Sequence, residues 1–144
     1  MELEHKVKML QMAYVGVLVD SLRWYTKEGI LEKVTEEKRK EQFISGKQRL
    51  SQFGISKPEQ VFIKLSDLFN CARWEIDKKG GQMSAEARGC LLCSAAKKFM
   101  TGRPCNIYCL DSMEAMIKAI DPAIQFKVEE TLWDGDKCKI EVWR

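Results

Sequence analysis

Histidine is nearly absent from this chain: among 144 residues there is one, His5, beside six cysteines. His5 lies where a chain end tends to fray. A His-based catalytic triad, a two-His metalloprotease helix and a facial metal triad therefore all lack parts. Long apolar runs are missing too. The longest local stretch, Met12 to Val19, falls far short of the roughly 18 residues a membrane span needs. Nor does one sign of charge dominate. Lys plus Arg number 24 against 21 Asp plus Glu, and a net +3 so evenly mixed argues against a nucleic-acid partner. The opening Met-Glu-Leu-Glu-His-Lys-Val-Lys mixes both signs and has no signal-peptide core, so a cytoplasmic protein is the expectation.

What is present can build a core. Apolar residues make up 45% and charged residues 31% of a 16.6 kDa chain, which suits one domain over residues 1–144 that hides about two-thirds of its unfolded surface. In a reducing compartment an even number of cysteines does not argue for disulfides. The six thiols are core residues, metal ligands or reactive groups.

Residues 1–70 read as helical. Leu3, Val7, Leu10, Tyr14, Val17, Ser21 and Trp24 alternate steps of four and three and draw one stripe along a first helix that stops near Gly29. This stripe packs either on the protein's own sheet or on a second copy. Leu31 to Phe53 forms a second helix whose charged centre, Thr35 to Gln42, is a solvated face or a partner surface. Pro58 suits the first turn of a third helix carrying Val61, Leu65, Leu68 and Phe69.

Near Cys71 the apolar period drops from 3.6 to 2. A hairpin turning at Gly80-Gly81 sets Ile76 against Ala85 and Trp74 against Ala87. A short helix through Leu91, Leu92, Ala95 and Phe99 follows, then another from about Ser112 to Ile120. A second hairpin with a three-residue loop, Trp133-Asp134-Gly135, pairs Val128 with Ile140 and Phe126 with Val142, puts Gly135 at positive φ and sets Glu130 opposite Cys138. The expected fold is α+β: N-terminal helices, then an antiparallel sheet of two β-hairpins joined by helices and covered on one face.

Three constellations in residues 71–144 can carry chemistry. Glu130, on an otherwise apolar strand face beside a thiol, is either a carboxylate with a raised pKa fit for proton transfer or a wet residue at a hairpin end. Cys90-x-x-Cys93 and Cys105-x-x-x-Cys109 could supply four thiolates to zinc or an iron–sulfur cluster, or pack as small hydrophobes. Asp111, three residues before Glu114, makes a capping box at a helix start. Cys109 just ahead of it would feel the helix N-terminus, which lowers a thiol pKa and sharpens its nucleophilicity.

A Cys-rich helix at Cys90 to Phe99, Cys109-x-Asp111, Asp121-Pro122 and Glu130-Thr131-Leu132-x-x-Gly135-Asp136-x-Cys138 together resemble the L-2-amino-thiazoline-4-carboxylic acid hydrolase family. More distantly they resemble 4-vinyl reductase-like small-molecule-binding domains. Cys138 follows Asp136 after one residue where the family pattern has two, and Cys90 and Cys105 are additional to that pattern. The resemblance implies a hydrolase, with no cofactor, that opens a small cyclic C–N/C–S compound to a carbamoyl-cysteine. In such a site Cys109 or Cys138 would be the nucleophile and Glu130 or Asp111 the proton-transfer group. Cys93 would line the site, and Arg88 or Arg103 would anchor the substrate carboxylate. The competing readings are a non-catalytic small-molecule-binding or sensory domain, with a zinc or iron–sulfur site on Cys90, Cys93, Cys105 and Cys109, and an assembly protein that forms a homodimer through the N-terminal helix.

Overall fold

The computed structural model describes residues 1–144. Three helices come first: α1 (Leu3–Lys27), α2 (Leu31–Phe53) and α3 (Pro58–Phe69). Gly29 (φ +69°) breaks the chain between α1 and α2, Gly54 in the left-handed region ends α2, and Pro58 sits at the start of α3, as their residue types demand. Strands β1 (Glu75–Lys79) and β2 (Gln82–Ala87) form a hairpin, α4 (Leu91–Lys98) and α5 (Asp111–Ile120) follow, and β3 (Gln125–Glu130) and β4 (Cys138–Trp143) make the second hairpin.

The two hairpins meet edge to edge, giving one antiparallel sheet in the order β1-β2-β4-β3. Ile76 pairs with Ala85, Val128 with Ile140 and Phe126 with Val142, the registers the alternation predicts. Because side chains alternate across a sheet, Met83, Ala85, Ala87, Ile140 and Val142 point inward, while Ser84, Glu86, Lys139 and Glu141 form a polar outer face. Val61 and Phe62 of α3 and Met113, Met116 and Ile117 of α5 cover the inner face and close the main core. Fold class and single-face coverage follow the sequence pattern.

Four local expectations are corrected. Trp74 lies just before β1 rather than in it and packs edge-on against Phe62, with ring centroids 5.3 Å apart. The last turns of the second hairpin are longer than three residues, and a bulge between Val128 and Glu130 shifts the register so that Glu130 faces Lys139 and not Cys138. Gly135 is not among the residues with positive φ; a Cβ there would force the Glu130 side chain to shift.

The fourth concerns α1, whose apolar stripe does not pack on the protein's own sheet. Its stripe of Leu3, Leu10, Val17 and Trp24 is exposed, and the helix instead buries Val15, Val19 and Leu22 against α4 and the segment before α5. Both faces are apolar, so periodicity alone could not choose between them.

Helices α2 and α5 approach closely at Gly46, where a Cβ would lie 2.9 Å from the Ala115 carbonyl oxygen and 3.1 Å from the Ala119 Cβ. Backbone cannot yield there as a flexible side chain would. Gly46→Val is expected to destabilise by about 2 kcal/mol through overpacking, whereas Gly16→Ala, in open space on α1, should stabilise by about 0.5–1 kcal/mol through helix propensity. Urea unfolding midpoints of the two variants, moving in opposite directions, check this.

Candidate functional site

The segment carrying Cys109 has an unusual helical geometry. Asn106–Leu110 forms a π turn that runs without a break into α5, with the Asp111 backbone N–H donating to the Asn106 carbonyl. Such single-turn π segments widen a helix and often sit at functional sites. Asp111 is thus inside a continuous helix and does not cap one, which corrects the capping-box expectation. Its buried carboxylate accepts from Asn106 Nδ2 (3.1 Å), across the same five-residue step as the backbone bond, and from Arg39 Nη1 (2.8 Å). Arg39 Nη2 also binds Glu114 (3.1 Å). These contacts tie the π turn to α2.

The side of the π turn that faces α1 borders a cavity of about 100 Å³. Twelve of its fourteen lining residues are hydrophobic, and they include Tyr14, Trp74, Tyr108 and the thiols of Cys71, Cys90 and Cys109. The one charged residue is Arg49, from α2. Larger depressions of about 500 Å³ lie over the outer face of the sheet, but they are shallow, polar and hold no thiol. An apolar recess with a few placed polar groups is the usual form of a small-molecule pocket, and this one, smaller than the roughly 300–1,000 Å³ of typical ligand sites, suits only a compact ligand.

The three cavity thiols differ in environment. Burial, reinforced by neighbouring Cys90, pushes the Cys71 thiol up to about 11. Cys109 keeps a little surface at the cavity wall but is densely enclosed; burial and the surrounding thiols hold its pKa well above the usual value. The lowering expected of a helix N-terminus is therefore not found at Cys109, because the π turn extends the helix past it on the N-terminal side. That position belongs to Cys90. It is the N-cap of α4, and its sulfur accepts the Cys93 backbone N–H at 3.4 Å. Burial raises the Cys90 pKa, and the backbone N–H groups of Cys93 and Leu92 oppose the rise. Burial also raises Tyr14, which Cys71 raises further and Arg49 lowers, and pushes Tyr108 up to about 12.

The remaining expected site residues lie elsewhere. Cys93 is buried in α4, and its charge neighbours include Cys105, Cys90 and Arg103. Arg103 reaches the loop after β3, with Nη1 3.0 Å from Asp134 and Nη2 3.2 Å from Thr131 Oγ1, and it favours the thiolate forms of Cys105 and Cys138 against burial. Cys138 Sγ accepts the Leu132 N–H at 3.3 Å. Glu130 Oε2 accepts the N–H groups of Asp136 (2.9 Å) and Lys137 (3.3 Å) and so clamps the same loop. Arg88 is exposed beside Glu86. Neither Arg88 nor Arg103 is among the cavity-lining residues, and no carboxylate is among them. No group of three or more His, Cys, Asp or Glu side chains converges as a metal ion would require.

Sequence reasoning missed Arg49, whose position in a long polar helix carries no local signal. Cys90 was readable as standing at a helix start, but not as sharing a cavity with Cys109. No helix is long and apolar enough to cross a membrane.

Among individually curated proteins, none matches the chain. The family described as L-2-amino-thiazoline-4-carboxylic acid hydrolase matches residues 9–141, a span that takes in every residue lining the cavity. The protein belongs to the L-2-amino-thiazoline-4-carboxylic acid hydrolase family.

Proposed function

We propose that this protein is a hydrolase that opens a small cyclic C–N/C–S compound of the 2-amino-thiazoline-4-carboxylate type inside the thiol-lined cavity. The observation that carries the reading is the placement of Cys90, at the N-terminus of α4, in one apolar pocket with a single cation, Arg49. Arg49 holds the substrate carboxylate. Helix N–H groups stabilise the Cys90 thiolate, which adds to the ring carbon between nitrogen and sulfur.

The C–S bond of the ring then breaks, and the leaving sulfur takes up a proton. Water adds to the carbon still bonded to Cys90; the C–S bond to the enzyme breaks, and a carbamoyl group remains on the substrate nitrogen. The consumed water supplies the carbonyl oxygen, so substrate plus water equals product. Cys109, held protonated by burial, lines the same cavity and gives its proton to the leaving sulfur instead of attacking. Asp111 acts at one remove, by holding the π turn that positions Cys109. Six free thiols suit a reducing compartment such as the cytoplasm.

Burial above the usual thiol range at all three cavity cysteines favours a second reading, a domain that binds such a compound without turning it over.

Incubation of the reduced protein with 2-aminothiazoline carboxylates separates the two. Turnover should release one thiol per carbamoyl product, and Arg49→Met should raise KM about 10- to 100-fold with a smaller change in kcat, as loss of a charge-assisted anchor predicts. Saturable binding without thiol release supports the second reading. Neither binding nor release, in protein with a native circular-dichroism spectrum, rejects both.

A further inference from the structure

The first ten residues of the chain are all exposed, and most of them belong to α1, which extends past the body of the domain until Gln11 Nε2 meets the Leu68 carbonyl at 3.0 Å. A free helical arm of this length is marginal in water, yet it carries Leu3, Val7 and Leu10 in the open. With Tyr14, Val17 and Ser21 these residues repeat at strict four-three spacing, which is the a/d seam of a coiled coil and lies to one side of the buried face of α1.

We propose that the occupant of this seam is a second copy of the chain, with the two α1 helices packed antiparallel about a two-fold axis. Antiparallel seams pair an a position with a d position, and the charges select the register. Setting Leu10 against Tyr14 of the second copy, Val7 against Val17 and Leu3 against Ser21 brings flanking Lys6 beside Asp20 of the other helix, twice by symmetry. The next register along sets Lys6 against Lys27 and is repulsive. The chosen register leaves Trp24 outside the overlap, where its ring is already covered by Arg23 (5.5 Å) and Lys27 (4.9 Å).

Each domain is attached to the C-terminal half of its α1, so the arm of one copy lies along the half of the other that carries a domain, and the bare halves do not remain bare. Leu10 of the second copy then lies beside Tyr14, whose ring packs on Phe69 at 5.0 Å and forms a wall of the thiol-lined cavity. The dimer would thus complete the outside of each cavity.

Sedimentation of the full reduced chain is expected to give about twice 16.6 kDa. Val17 is 64% exposed, so Val17→Glu should yield a monomer with an unchanged circular-dichroism spectrum. Lys6→Asp should weaken the dimer about tenfold through two reversed flanking pairs, and adding Asp20→Lys should restore it. A monomeric parent, a dimer that survives Val17→Glu, or a charge exchange that fails to restore affinity overturns the proposal. None of these readouts depends on hydrolase activity.

Discussion

Cys90→Ser is expected to lower kcat/KM for ring opening by about three orders of magnitude, the loss typical when a covalent nucleophile is removed and only binding remains. The serine keeps the N-cap hydrogen bond to the Cys93 N–H, since an oxygen acceptor suits that position better than sulfur. Fold and cavity should therefore persist, and the effect belongs to the chemistry. The pH profile has a definite sign. Burial places the Cys90 pKa above its usual value, so thiolate is the minor form at neutral pH and activity should climb through the alkaline range, limited by ionisation. Cys109→Ser should lose less, because a hydroxyl still donates a proton. Iodoacetamide at mildly alkaline pH should alkylate Cys90 before Cys71 or Cys109, whose thiols lie higher. Activity unchanged in Cys90→Ser, or first labelling at Cys109, transfers the nucleophilic role away from Cys90.

The largest expected stability effect falls on Arg39→Met. Asp111 is 3% exposed, and the guanidinium 2.8 Å away is its one charged partner. Removing that partner strands a buried carboxylate with only Asn106 to serve it. Breaking a buried pair costs about 3–5 kcal/mol, and because Arg39 is itself 43% exposed and screened by water, the low end applies. A loss of about 3 kcal/mol should lower Tm by roughly 10 °C in a chain of this size. Adding Asp111→Leu should recover part of the loss, since it removes the buried charge and leaves only the partly exposed Glu114 carboxylate without its cation. Asp111→Leu alone should also reduce kcat more than it changes KM, because the π turn that sets Cys109 loses its side-chain brace. A double mutant as stable as the parent would show that the pair contributes nothing net, and a double mutant no more stable than Arg39→Met would show that the stranded carboxylate costs nothing.

The residues that decided helix and strand identity were legible because their signals are local. Pro58 and Gly54 punctuate the helices whatever surrounds them, and the alternation of Met83, Ala85 and Ala87 with polar neighbours sets the sheet faces. The register of the second hairpin was legible at Val128 and Phe126 and failed at Glu130. The bulge there is stabilised by a contact six residues away, between the Glu130 carboxylate and the Asp136 N–H, that no pattern of apolar residues encodes. The helix start at Ser112 was misread for a similar reason. Asn106 and Asp111 look like cap and turn residues, but with Arg39 supplied from α2 they bond to each other across a π turn and keep the chain helical.

The sequence alone determined an α+β domain, its order of elements and a family motif concentrated in the C-terminal half, and its want of histidine left cysteine and carboxylate as the expected actors. Tertiary structure decided which of those groups meet. It brought Cys71, Cys90 and Cys109 to one cavity, placed the Glu130 and Asp111 carboxylates in structural contacts, and supplied Arg49 from a helix 41 residues upstream of Cys90. The physical reason is range. Propensity, capping and alternation act over a few residues, whereas a thiol's ionisation and a cavity's charge depend on burial and neighbours that only long-range packing creates.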